Sequence, residues 1–344
     1  MKTLDCAIIG GGIAGLACGR ALTAGGHAVE LFEKSRGPGG RLASRRTPEA
    51  VFDIGAQYLT ARNPEFQAEV RHWHQAGIVD RWPESLWVCD AEGWQRKPDD
   101  PPRWVGTPRM SAVTRHLSRG LKLHSQRRIE RLSGTAQNWW LQDSQDVRHG
   151  PFTRVVIALP LPQAERLLAP QGGLLARACQ RVGMRPCWTA YALFDRPLTH
   201  LASPSPDWQA AFINQGPLRF VTRNHSKPGR GGQGESLSLL ASPEWSQANL
   251  EQDPQWVATR LLEAFAEHYP ARLPGTRLVS AHRWRYAQPE ARKEGDETRE
   301  FLIDSRGLAL CGDGLSEGRV EAAWLSGHRL GTHLNLNDLE ETLS

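Results

Sequence analysis

The stretch LDCAIIGGGIAGLACGRALTAGGHAVELFEK, residues 4–34, decides the fold. Residues 4–9 are a short apolar run that predicts a buried strand. Gly10, Gly12 and Gly15 follow as GxGxxG, with Ile13 and Ala14 opening a helical segment that stops at Gly25-Gly26. AVELFEK, residues 28–34, predicts a second strand, so the whole is one strand–helix–strand unit of a parallel sheet. In such a unit the first glycine permits the tight turn, the second lets backbone approach a pyrophosphate, and the third lets helix pack on strand. The helix N-terminus then offers free N–H groups and partial positive charge to the anion. Glu33 ends the second strand, where a carboxylate accepts hydrogen bonds from ribose hydroxyls.

Lys34 begins the next stretch, KSRGPGGRLASRR, which crowds five cations and three glycines into residues 34–46. Gly40 and Arg41 are placed to reach back to the same pyrophosphate. Residues 63–105 are rich in tryptophan and proline and read as an excursion from the first domain, with Lys97 in a Pro/Asp-rich surface loop. Residues 110–121 look helical. KLHSQ, RIERLSG and WWLQDSQ read as strands of a meander, and RVVIALP (154–160) as a buried strand. From 186 to 242 the pattern becomes antiparallel, with a glycine-rich hairpin loop at 224–235. Asp253 and Pro254 cap an amphipathic helix over 253–269. LALCGDG, residues 308–314, is a strand and turn before a last helix containing Val320. The fold class is therefore α/β, a Rossmann-like nucleotide domain with an inserted antiparallel-sheet α+β domain. The expected division gives residues 1–62, 106–165 and 297–344 to the first, and 63–105 and 166–296 to the second.

Composition narrows the function classes. Net charge is +5 over 344 residues. Only Lys2, Lys34, Lys97, Lys122, Lys227 and Lys293 are lysine, so arginine dominates the 42 cations. No basic tract recurs along a helix and no zinc-finger or RNP pattern occurs, so no nucleic-acid partner is expected. The six cysteines show no CxxC and no disulfide framework, which implies a reducing, cytoplasmic setting. Asp5 and the glycines at 10–12 argue against a secretory signal, and no apolar run is long enough to span a membrane.

Three elements together, GxGxxG with Glu33, GGR at 39–41 and GDG at 312–314, resemble the flavin-dependent amine oxidase superfamily. The resemblance implies FAD as the dinucleotide, with Asp313 on its ribityl chain and the last helix facing the flavin pyrimidine. Within the superfamily, GPGGRLASRR (37–46), FDIGAQYLTAR (52–62), HRWRYAQP (282–289) and GDG…GRVEAAWLSG are similar to the renalase family, although the middle of the chain matches weakly. That resemblance implies a two-domain fold (the GR2 type) like that of p-hydroxybenzoate hydroxylase. It also implies oxidation of 2- and 6-dihydro isomers of NAD(P)H to NAD(P)⁺ by hydride transfer to flavin N5, with O₂ reduced to H₂O₂. Ile129 resembles the family's adenine-contact position, and Gly312 and Val320 fall in its C-terminal flavin motif. Covalent attachment in monoamine oxidases uses a cysteine just before that motif. Residues 295–307 contain none, so the FAD is expected to be dissociable.

The chemistry asks little acid–base help of the chain. A dihydropyridine loses hydride under the push of its own ring nitrogen, whereas an alcohol would call for a general base. No Ser-His-Asp order or HExxH occurs; His72-x-His74 lacks further ligands, so no metal and no catalytic base is assigned. Gln57 and Tyr58 follow the GGR loop and are candidates to face the flavin. Period-2 spacing puts Thr189 with Tyr191 on one strand face, and Trp284 with Tyr286 on another. Together with Trp188 these are candidate substrate residues, and each also suits the aromatic core of a sheet. Asn224 and His225 open the glycine-rich loop, either to hydrogen-bond a substrate carboxamide or as ordinary turn residues. An amine oxidase of the same fold and a flavin-binding redox sensor without turnover remain as alternatives.

Overall fold

The structure is a computed structural model that describes residues 5–98, 101–198, 208–230, 234–291 and 298–343. The chain divides into two compact units, one of residues 1–40, 114–184 and 288–344, the other of 41–113 and 185–287.

The first unit is built on the opening stretch. Strand β1 (Asp5–Ile9), helix α1 (Ile13–Ala24) and strand β2 (Ala28–Glu33) follow the sequence pattern. Five parallel strands stand in the order Lys122–Ser125, β2, β1, Arg154–Ile157 and Leu308–Cys311, with Phe301–Ile303 antiparallel at the edge. Ile8 aligns with Leu31 on one side and Val156 on the other, and all three are fully buried. Such two-sided burial explains why these strands read as continuous apolar runs. The helix Val320–Leu343 lies along α1. A Cβ on Gly327 would meet the Ala14 carbonyl oxygen at 1.9 Å, and one on Gly331 the Cys18 carbonyl oxygen at 2.8 Å. Rising numbers match rising numbers, so the two helices are parallel and their N-termini share the carboxyl edge of the sheet.

Two expectations change here. Lys122–Ser125, read as part of the meander, is the edge strand of the parallel sheet, pairing with β2 from Glu30 to Glu33. The antiparallel meander contains only Ile129–Thr135, Asn138–Asp143 and Arg148–Phe152. Residues 166–184, expected in the second domain, belong to the first unit because Leu167, Leu168, Leu175 and Cys179 pack into its core.

The second unit holds a seven-stranded sheet in the order Thr276–Pro289, Met184–Phe194, Ser236–Ala241, Leu218–Arg223, Ala210–Ile213, Leu86–Asp90 and Gly93–Lys97. One face packs on the helix Pro254–His268 through Trp188, Ala190, Val221, Leu239, Leu261 and Phe265. Asp253 caps that helix, accepting from the N–H groups of Gln255 and Trp256. Residues 41–62 join this unit rather than the first. Phe52 and Ile54 pack with Tyr191 and Leu193 on the opposite sheet face, and Asp53 is tied to Asn224. Among the described residues no helix is long and apolar enough to cross a membrane.

Candidate cofactor and substrate sites

In the first unit the three glycines have separate physical roles. Gly10 has φ +115°, and a Cβ there would meet the Ala158 carbonyl oxygen at 2.5 Å. A Cβ on Gly15 would meet the Gly10 carbonyl oxygen at 2.1 Å. These two are demanded by the chain itself. A Cβ on Gly12 would meet nothing within 4 Å. Its lack of a side chain leaves open space before the α1 N-terminus, and no side chain caps that end. The first-turn N–H groups are thus free of protein caps, as an anion cradle requires. Gly39 donates its N–H to the Gly11 carbonyl oxygen at 3.0 Å, so the second glycine loop folds back onto the first.

Glu33 is buried beside this cradle. Its carboxylate accepts from the N–H of Gly11 at 2.8 Å and of Ser35 at 2.7 Å. Each oxygen keeps lone-pair capacity for ribose hydroxyls. Burial lowers the pKa of the Lys34 ammonium, with Arg128 adding and Glu33 opposing. Ile129 is buried at the start of its strand. Gly312 has φ +134° with open space at its Cβ position, while its N–H donates to Ser326 Oγ at 2.7 Å. Asp313 is buried in the following turn, and Val320 begins the last helix. Gly10, Gly12, Ile13, Ala14, Gly15 and Glu33 therefore converge at one sheet edge with Gly312, Asp313 and Val320. Two helix N-termini and an uncapped glycine cradle fit a dinucleotide pyrophosphate.

In the second unit the structure gathers a buried charge cluster that sequence reasoning missed. Asp53 Oδ2 accepts from Lys227 Nζ at 2.9 Å and Arg230 Nη1 at 2.6 Å, and all three side chains are fully buried. Burial alone would raise the Asp53 carboxyl, but Arg230 and Lys227 hold it at about 2. Burial pushes the Lys227 ammonium down to about 8 against the pull of Asp53. Lys227 also lies 4.8 Å from the centre of the Trp82 ring.

Three site assignments change, two of them because of this cluster. Gln57 Oε1 accepts from Thr222 and Lys227, and its Nε2 donates to the carbonyl oxygens of Asp53 and Gly55. Its four hydrogen-bonding positions are taken, so its side chain has none left for a cofactor. Asn224 Oδ1 accepts from Asp53 N–H and its Nδ2 donates to Ser238, in full burial. It is a structural member of the cluster rather than a carboxamide reader. Trp188 lies on the helix-covered face with Nε1 donating to the Asn249 carbonyl oxygen, so it is core.

The other candidates lie on the opposite face. Thr189 and Tyr191 share it as expected and are buried, with Tyr191 5.0 Å from Phe52 between ring centres. Trp284 is half-buried, donating Nε1 to the Ile54 carbonyl oxygen at 2.6 Å, and Tyr286 is half-buried further along the same strand. Tyr58 is half-buried between Arg103, 5.0 Å over its ring, and Phe220. Arg41 Nη1 donates to the Ala287 carbonyl oxygen at 3.0 Å. His225 Nδ1 accepts from the Ser236 N–H at 3.3 Å. Burial lowers its pKa, aided by Arg223 and opposed by Glu235, whose Oε1 lies 3.5 Å from the same Nδ1. Lys97 is not in a loop: it ends the edge strand Gly93–Lys97 and lies 5.0 Å over the Phe212 ring.

Residues 8–73 match the model of an NAD(P)-binding Rossmann-like domain, and residues 80–330 that of flavin containing amine oxidoreductase. The chain belongs to the flavin-containing amine oxidoreductase family. Family membership implies a flavin cofactor, typically FAD, and oxidoreductase chemistry. The fold is similar to that of a putative protoporphyrinogen oxidase from Exiguobacterium sp. 255-15, at 12% identity and TM-score 0.79 over 98% of this chain and 100% of that one. It is also similar to a putrescine oxidase bound to putrescine, at 13% identity and TM-score 0.71 over 98% of this chain and 99% of that one. Members of this amine oxidoreductase family carry a Rossmann-like domain with an amine oxidase domain, and both are present here.

Proposed function

We propose that this protein is a renalase-like FAD oxidase that converts 2- and 6-dihydro isomers of NAD(P)H to NAD(P)⁺, with O₂ reduced to H₂O₂. One observation favours this over amine oxidation. Four aromatic faces of the second unit already carry protein cations: Lys97 on Phe212, Arg103 on Tyr58, Arg81 on Trp104 and Lys227 on Trp82. An aromatic cage recognises a cation only where its faces are vacant. Asp53, a buried carboxylate on this side of the sheet, is already matched by two cations. This surface suits an anionic substrate.

FAD, held in the glycine cradle, would supply a two-electron acceptor that O₂ can reoxidise. The chain's part is to bind and orient. Gly12 and the α1 N-terminus receive the pyrophosphate, Glu33 the ribose, and Asp313 the ribityl chain, all non-covalently. His225, with its Nδ1 engaged by Ser236 and Glu235, acts as a hydrogen-bonding contact for substrate rather than as a base. Tyr58, Tyr191, Trp284 and Tyr286 supply aromatic surface.

The purified yellow protein should be mixed anaerobically with borohydride-treated NAD⁺, which contains the dihydro isomers, and separately with primary and polyamines. Rapid bleaching of flavin absorbance by the isomers alone is expected. Bleaching by amines alone makes the protein an amine oxidase of the same fold, and bleaching by neither makes it a flavin-binding sensor.

A further inference from the structure

A row of rings crosses the sheet face opposite the helix in the second unit. Phe212 and Phe220 are direct cross-strand partners, with ring centres 4.6 Å apart, and Tyr58 continues the row 5.7 Å beyond Phe220. Phe220, in the middle of the row, is buried, and the row is half-buried at Tyr58 and again at its Phe212 end. At that end stands Lys97, an exposed side chain on the edge strand with no carboxylate partner among the described residues. The rest of the face near Phe212 is not a packed core: Gln95 stands in register with Val88, which pairs with Phe212. Thr222, two residues beyond Phe220, holds Gln57, so the row is anchored to the buried Asp53–Lys227 cluster.

We propose that this row is the subsite for the adenosine diphosphate half of the substrate, an inference that rests on the dinucleotide reading above. The adenine stacks on Phe212, and Lys97 swings off the ring to meet the diphosphate. Base–aromatic stacking accepts any π-face, and a lone exposed lysine moves at small cost. The reacting nicotinamide end lies toward Tyr58.

The test uses the holoprotein, whose own FAD adenylate occupies the glycine cradle, and ADP-ribose as probe. Lys97→Gln and Phe212→Leu should each weaken ADP-ribose binding in equilibrium dialysis by about tenfold. For the dihydro isomers of NADH, KM should rise by a similar factor with kcat unchanged. The corresponding mononucleotide isomers, which lack the adenylate, should be oxidised equally well by wild type and variants. Unchanged ADP-ribose binding in Lys97→Gln, an exposed change that leaves folding intact, overturns the subsite. Equal losses on dinucleotide and mononucleotide also overturn it. Failure of every dihydronicotinamide to bleach the wild-type flavin is a different result: it sinks the proposed activity, whatever ADP-ribose does.

Discussion

Asp53 shows what a residue can hide in sequence. It lies in FDIGAQYLTAR, whose apolar flanks predict little beyond a short strand, yet its oxygens anchor partners 174 and 177 positions away. No periodicity encodes such a pairing, and the glycine-rich composition of 224–235 pointed to a hairpin loop rather than to two buried cations. Two cations on one carboxylate leave excess positive charge in the interior, so the three residues are not equivalent. Asp53→Ala strands both cations and should cost about 3–5 kcal/mol in urea denaturation. Lys227→Met leaves the Asp53–Arg230 pair neutral and should cost less than half as much. A larger loss from Lys227→Met would contradict the charge count. The acid limb follows from the same carboxyl. Its folded pKa of about 2 lies below the ordinary 3.8, so its contribution is complete above about pH 4 and is lost as pH falls toward 2. That loss should be absent in Asp53→Asn. His225 carries the opposite lesson: its address at the loop opening was legible, but its partners were not, because Ser236 and Glu235 reach its Nδ1 from the far end of the loop. His225→Ala should alter substrate KM and leave the limiting rate of flavin reduction within a few-fold. Removal of a general base typically costs about 10²–10⁴-fold, a drop that stopped-flow absorbance would detect at once.

At the scale of elements, the β1–α1–β2 unit was legible because every requirement is local. Gly10 needs φ +115° and Gly15 touches a carbonyl only five residues earlier. The close pairing of α1 with the last helix was not legible, since Gly327 looks like any helical glycine until Ala14 is set against it. The edge strand Lys122–Ser125 was misassigned for a related reason: a four-residue strand carries the same signal in a meander as at a parallel edge, and only its partner decides. A glycine comparison separates fold from ligand binding. Gly15→Ala and Gly327→Ala press a methyl group into backbone and should cost about 1–3 kcal/mol or more in thermal or urea unfolding of the apoprotein. Gly12 has an ordinary φ and an open Cβ position, so Gly12→Ala should unfold normally. The added methyl group nevertheless occupies the space before the α1 N-terminus. FAD content of purified Gly12→Ala should therefore fall about tenfold or more while apoprotein stability stays within about 0.5 kcal/mol of wild type. A Gly12→Ala protein that retains full flavin would remove this cradle as the pyrophosphate site.

At the scale of the whole molecule the charge is both the most legible property and the one with the clearest kinetic consequence. The chain carries +5 formally, and most of its cations are arginine. Neither fact identified a partner in sequence, because basic composition serves nucleic acids, phosphates and acidic peptides alike. Lys97, Arg81 and Arg103 lie over aromatic rings, and under the proposed activity they would add positive potential to stacking surface. A dinucleotide diphosphate is attracted by such a field, and a 2′-phosphate adds to the attraction. An amine is repelled. Electrostatic steering raises association rates by about 10–10³ and decays as the Debye length contracts from about 30 Å at 0.01 M salt to about 3 Å at 1 M. For the dihydro isomers of NADH, kcat/KM should therefore fall by about tenfold or more over that range, and more steeply for the NADPH isomers. The limiting rate of flavin reduction, measured at saturation, should hardly move, because salt acts on encounter and not on hydride loss. Neutral dihydronicotinamide riboside serves as the control, with kcat/KM nearly independent of salt. A flat response for the dinucleotide would mean that these cations are structural alone. A kcat/KM that rises with salt would mean that the productive substrate is a cation, and would return the protein to amine oxidation.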